Sequence, residues 1–172
     1  IAEWIEPCHA INRVKWGIWS LAEYDRLLEP FAGMKGVMGP AVNDFEFPHA
    51  AAALRGRTFD ALSLHLYVDR RGAPENRQGA YNALDKFALA RSLAERGCGG
   101  RVIVSEVNWF LKDTDGYAHP FAPYAPSNPT AHEWDVDEDT YADYMLRYYL
   151  HALCSGMVER VYWWRLVARP FG

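Results

Sequence analysis

Five short apolar runs recur along this chain, at about 4–10, 36–42, 61–67, 101–106 and 158–164, and an amphipathic segment follows each of the first four. Repeated strand-helix units of this kind place their strands in a parallel sheet, because each helical crossover returns the chain to the same end. No Asn-Gly or Asp-Gly dipeptide separates paired alternating runs, so antiparallel hairpins are not expected. The fold class is therefore α/β, either an open doubly wound sheet or part of a parallel-stranded (β/α)8 barrel of the TIM type. Five strands in 172 residues are too few to close an eight-stranded barrel, which typically takes about 250 residues. On the barrel reading the chain is a single domain over 1–172 that supplies strands four to eight, with strands one to three upstream. Ile1 opens almost directly into a strand pattern and Gly172 closes just after another, as expected of a piece internal to a larger fold.

The helical segments carry their own punctuation. Ser20-Leu21-Ala22-Glu23 reads as a capping box, with Leu21, Tyr24, Leu27, Leu28 and Phe31 on one face and Gly33 as the stop. A short Ala-rich helix ends at Gly56. A longer one from about Tyr81 sets Leu84, Phe87, Ala88, Arg91 and Ala94 on neighbouring turns before Gly97, and the last shows Tyr141, Tyr144, Met145, Tyr148 and Ala152 before Gly156. A long proline- and aromatic-containing connection, about 112–137, follows the fourth run; loops of that length tend to be lids or binding walls.

Composition narrows the partners. A net charge of −4 with no Lys/Arg block argues against nucleic acid. No run of about 18 apolar residues exists, which excludes a membrane-spanning helix. Cys8, Cys98 and Cys154 lie far apart, and the six histidines do not cluster at ligand spacing, so no metal site or disulfide framework is expected. Dinucleotide, Walker, nucleophile-elbow and zinc-protease motifs are absent, and no cofactor is called for.

The residues that suggest chemistry sit at the ends of the apolar runs, where parallel barrels keep their active sites. Ser105-Glu106-Val107-Asn108-Trp109 delivers a carboxylate to a strand end. His65 and Tyr67 share a face by the period of two, from which Tyr67 can reach and orient Glu106. Trp163 and Trp164 point to opposite faces, so one can floor a sugar subsite while the other packs beneath helices. Asn12, Arg13 and Trp16 follow the first run and Asn43, Asp44 and Glu46 the second, on the same rim as Glu106 if the strands are parallel.

The order strand-Asn-Arg-x-x-Trp, strand-His-x-Tyr, strand-Ser-Glu-x-Asn-Trp, strand-Tyr-Trp-Trp resembles the C-terminal half of clan A glycoside hydrolases, retaining enzymes on a (β/α)8 barrel. The resemblance covers nearly the whole chain. It implies Glu106 as the nucleophile, Tyr67 as its orienting hydroxyl, and Trp163 or Trp164 as the substrate-facing aromatic. His9, Asn12, Arg13, Trp16, Asp44, His65, Asn108 and Trp109 complete the expected substrate-binding set. One departure stands out: where the clan carries Asn-Glu on strand four, the Glu being the acid/base, this chain has His9-Ala10. The expected substitute donors are Glu46 first, then Asp44 and His9. Glu6 reads as a buried structural carboxylate paired with an upstream cation. The expected activity is hydrolysis of a polysaccharide or oligosaccharide; the alternative is a carbohydrate-binding barrel without turnover. On either reading the sheet edges call for the N-terminal half-barrel, a second chain or self-association.

Overall fold

Ser20 starts the first helix, α1 (Leu21–Leu28), by the expected reciprocal cap. Its hydroxyl accepts from the Glu23 N–H at 3.2 Å, while the Glu23 carboxylate accepts from the Ser20 N–H at 2.9 Å. A 3-10 turn over Glu29–Phe31, opened by Pro30, carries the chain to Gly33 at φ 79°. There follow β1 (Met38–Asn43), α2 (Phe47–Leu54), β2 (Ala61–His65), α3 (Ala83–Ala94), β3 (Val102–Val107), β4 (Phe110–Leu111), β5 (Asp135–Val136), α4 (Glu138–Ser155) and β6 (Arg160–Trp163). The computed structural model describes residues 3–12, 20–43, 47–68, 72–77, 80–111 and 135–164, without the side chains of residues 110, 111 and 135.

The architecture is α/β with a four-stranded, all-parallel sheet in the order β1-β2-β3-β6; β4 and β5 pair separately, also in parallel. Strand order follows chain order without a reversal among the described residues. The strand expected at 4–10 is reduced to one parallel bridge, Ile5 to Val37, held by Ile5 N–H to Gly36 carbonyl at 2.8 Å and Met38 N–H to Ile5 carbonyl at 2.9 Å. Pro7 offers no N–H to extend that ladder, and Ala10, at φ 47°, turns away from it. Of the long connection, 112–134 lies outside the described residues.

The face of the sheet toward the helices carries Leu62, Leu64, Val102, Val104 and Val107, packed with Phe87, Ala90, Tyr148 and Ala152. Full burial of such side chains stabilises the fold by about 1.5–3 kcal/mol each for the larger ones. At Gly39 the packing leaves no room for a side chain: a Cβ there would lie 2.7 Å from Phe59 and 2.8 Å from the Tyr24 hydroxyl. The opposite face begins with a separate small cluster of Met38, Ala61, Ile103 and Trp4.

Helix α3 turns a different side inward from the one expected. Ala83, Lys86, Phe87, Ala90, Leu93 and Ala94 are buried, whereas Leu84 is 39% exposed, because Lys86 takes a core position and hydrogen-bonds to a strand-end carbonyl. Its N-terminus carries a second capping box, Asn82 with Asp85. Helix α4 presents Tyr141, Tyr148 and Ala152 to the core, begins at the Asp137 cap and ends at Gly156 at φ 64°. No helix of the described residues is long and apolar enough to cross a membrane.

Candidate functional site

Two irregularities in the sheet create the site. Along β3, Ile103 belongs to the small cluster on one face and Val104 to the main core on the other, yet Val107 also joins the main core. Strict alternation would put Val107 with Ile103. The pairing with β6 shifts between Val104 and Val107, so an extra residue is accommodated there and the side chains beyond it change face. Ser105 and Glu106 thereby both reach the side away from the helices. The same device acts on β1, where the pairing shifts between Pro40 and Val42 around Ala41, at φ 57°. Val42 enters the main core and Asn43 turns to the Glu106 side.

On β2 no bulge is needed. Ala61, Ser63 and His65 follow one another by the period of two, and Tyr67 continues the series just past the strand. The Tyr67 hydroxyl donates a short hydrogen bond to Glu106 Oε1. His65 Nδ1 lies 3.3 Å from Asn43 Oδ1 and 3.9 Å from Glu106 Oε2. His9 Nε2 approaches the same Oε2 at 3.5 Å, and its ring centroid lies 4.6 Å from that of His65. His65 is buried, the Glu106 side chain is 12% exposed, and the His9 side chain is 56% exposed, so the group opens to solvent through His9.

The backbone supporting these groups is clamped from the helix side. Lys86, fully buried, donates from Nζ to the Tyr67 carbonyl, and the Tyr148 hydroxyl donates to the Leu66 carbonyl at 2.7 Å. Asn12 and Asn43 tie two rim segments together: Asn43 N–H donates to Asn12 Oδ1 at 2.7 Å, and Asn12 Nδ2 donates to the Asn43 carbonyl at 3.1 Å. Asn12 is thus a brace of the rim.

Glu6 is largely buried, as expected. No ion pair reaches it among the described residues; it lies among Ser63, Ser105, His9 and Glu106. Burial pushes its carboxyl above the usual glutamate range. The Ser63 and Ser105 hydroxyls and His9 oppose that rise, and the charge of Glu106 adds to it. The two hydroxyls are near enough to favour the anion but fall short of hydrogen-bond geometry, and Glu6 Oε1 is buried without a hydrogen-bond partner. His9, His65 and Glu6, distant in sequence, each bring one ligand-type atom within 4.8 Å of the others. Linear spacing could not show this grouping.

The aromatic expectations divide. Trp109 is fully buried, stacks on Trp163 at 5.7 Å with 12° between planes, and donates from Nε1 to the Gly72 carbonyl at 3.0 Å. Trp163 also packs against Tyr149 and donates to the Tyr141 hydroxyl at 2.5 Å. Both rings belong to the core under α4 instead of the substrate wall, because the helix covers that face of the sheet. Asn108 is buried, and its amide donates to the Trp164 carbonyl at 3.4 Å, joining two strand ends. Trp164 is half-buried, and its N–H extends the β3–β6 ladder to the Val107 carbonyl at 3.1 Å. Alternation from Trp163 then places Trp164 on the Glu106 face. Arg13, Trp16, Asp44 and Glu46 lie outside the described residues.

The arrangement offers a carboxylate at a strand end, oriented by a phenol and flanked by two imidazoles and a second, buried carboxyl. Such a set can act as nucleophile, base or cation ligand. Comparisons of the chain with protein-family models, curated proteins and solved structures find no match.

Proposed function

We propose that the chain forms the catalytic rim of a (β/α)8-type glycoside hydrolase acting on a polysaccharide or oligosaccharide by retaining double displacement. The carrying observation is the Tyr67 hydroxyl bonded to Glu106 at the C-terminal end of parallel strands. A hydroxyl donated to one carboxylate oxygen stabilises the anion and fixes its plane, leaving the other oxygen to attack an anomeric carbon. The sequential strand order supports a singly wound barrel over a doubly wound sheet, whose order reverses at a switch point. Upstream strands, or a second chain, would pair with β6 and with the Ile5 segment to close it. Trp164 is the proposed sugar platform.

The acid step is assigned to Glu46, on the connection between β1 and α2. Ala10, buried to 2% exposure, has no proton to give. That same observation favours the second reading, a carbohydrate-binding barrel without turnover. Incubation with 2-deoxy-2-fluoro glycosides bearing activated leaving groups separates the two: a stable adduct on Glu106 supports hydrolysis, and saturable sugar binding without an adduct supports the binder. Glu106→Gln should abolish the adduct while retaining sugar binding.

A further inference from the structure

The inner face beneath Glu106 brings two carboxyl groups and two imidazoles together. Glu6 and Glu106 face the same space, and within 4 Å of Glu106 the described groups able to carry opposite charge are the imidazoles of His9 and His65. Glu6 Oε1 is buried and lacks a hydrogen-bond partner, and so are the Ser63 and Ser105 hydroxyls beside it. Leaving a carboxylate oxygen in that condition is costly, and native structures usually attend such groups with a donor or a cation.

We propose that Glu6, His9 and His65 bind a divalent first-row transition cation of the zinc type, with an open coordination position toward Glu106. Two imidazoles and one carboxylate are a nitrogen- and oxygen-donor set suited to such a cation and not to calcium or magnesium, which favour oxygen alone. One ligand atom from each residue already lies within 4.8 Å of the others. Tetrahedral donors around zinc stand about 3.4 Å apart, so closure requires movements of about an ångström. The exposed side chain of His9 can supply those that involve its own ring.

The surroundings have the form of a ligand's support. His65 Nδ1 sits 3.3 Å from Asn43 Oδ1, a contact that fixes the ring and directs Nε2 as the ligating nitrogen. Asn43 is held in turn by its exchange of hydrogen bonds with Asn12. Two residues beyond β1's bulge, the same strand thus orients the histidine that β2 presents. A cation here would neutralise the paired carboxylates and give a sugar hydroxyl or other oxygen ligand a Lewis acid beside Glu106. The site goes beyond the hydrolytic reading and stands independently of whether Glu106 attacks a sugar.

The test is metal uptake by the chelator-stripped chain, measured by calorimetry with zinc and by visible absorption with cobalt. One equivalent should bind, with a cobalt spectrum of low coordination number. His9→Ala, a change at an exposed side chain that spares the core, should weaken zinc binding at least about tenfold with an unchanged circular dichroism spectrum. Glu6→Gln and His65→Ala should do the same, and His151→Ala, at the exposed Glu75–Arg147 cluster, should bind like the parent. Absence of stoichiometric uptake, or uptake indifferent to His9→Ala, would overturn the proposal. Fluorosugar trapping reports on Glu106 separately, so a metal site without an adduct and an adduct without a metal site are distinguishable results.

Discussion

Replacing Tyr67 by Phe removes one hydroxyl and little else. The ring is 3% exposed and packs in the core, and Phe refills its volume, so no cavity term arises. What is lost is the hydrogen bond to Glu106 Oε1. Bonds to charged groups contribute about 1.5–3 kcal/mol. Glu106 retains 12% exposure, so water can take over part of the vacated contact, and we expect a net stability loss of about 1 kcal/mol. For a domain of this size that lowers the melting temperature by about 2–4 °C. The effect on reaction should be larger than on stability, because an unrestrained carboxylate samples unproductive planes and its anion loses a donor. A tenfold to hundredfold slower inactivation by an activated fluorosugar corresponds to about 1.4–2.8 kcal/mol of barrier. Thermal melting and time-resolved intact-mass spectrometry measure the two quantities on one preparation. An inactivation rate within twofold of the parent, or a collapse of the fold, would refute the assignment of Tyr67 as an orienting donor.

Further outcomes concern the framework. Lys86→Met removes the ammonium bond to the Tyr67 carbonyl and should cost about 1–3 kcal/mol, read as a drop of several degrees in thermal melting together with slower trapping; a gain in stability would show that desolvation of the ammonium outweighs the bond. Glu159 accepts two hydrogen bonds from Arg101 at 2.7 Å each, which holds its carboxyl below the usual range. A depressed acid contributes fully above its unfolded value and loses that contribution as pH falls through the folded one. With solvent screening at these partly exposed side chains, Glu159→Gln should destabilise by less than about 1 kcal/mol at neutral pH, and the gap should close in urea titrations as pH drops below about 4. Burial pushes the Cys98 thiol up to about 11, so a thiol reagent at pH 8 should label exposed Cys154 quickly and leave Cys98 unmodified until denaturant is added; equal labelling rates would contradict the packing of α3 on the sheet.

The periodicities that made the sheet and helices legible are local, and the site is what happens where they break. The Ser20 cap, the Gly156 stop and the runs of β2 and β6 follow from neighbouring residues alone. His65 and Tyr67 meet Glu106 as the period of two requires. The bulges at Ala41 and at Ser105–Glu106 had no such signal, since an inserted residue leaves composition unchanged while reversing the face of every side chain after it. Trp109 could not be told from a sugar platform because a flat apolar ring serves either purpose; Tyr148 and α4, far along the chain, claim it. Lys86 was invisible for a similar reason: its partner is a backbone carbonyl, which any sequence supplies. Glu6 carried one clue. A carboxylate in a largely apolar opening run needs something inside to offset its burial, and the groups it lies among come from β2 and β3, far along the chain.

The most direct measurement is peptide mapping of the chain after exposure to a panel of 2-deoxy-2-fluoro glycosides. A single covalent sugar on the peptide containing Glu106, absent in Glu106→Gln, is the expected result. An adduct on another residue, or none at all from a panel whose sugars demonstrably bind, would contradict the proposal that Glu106 is the reacting carboxylate.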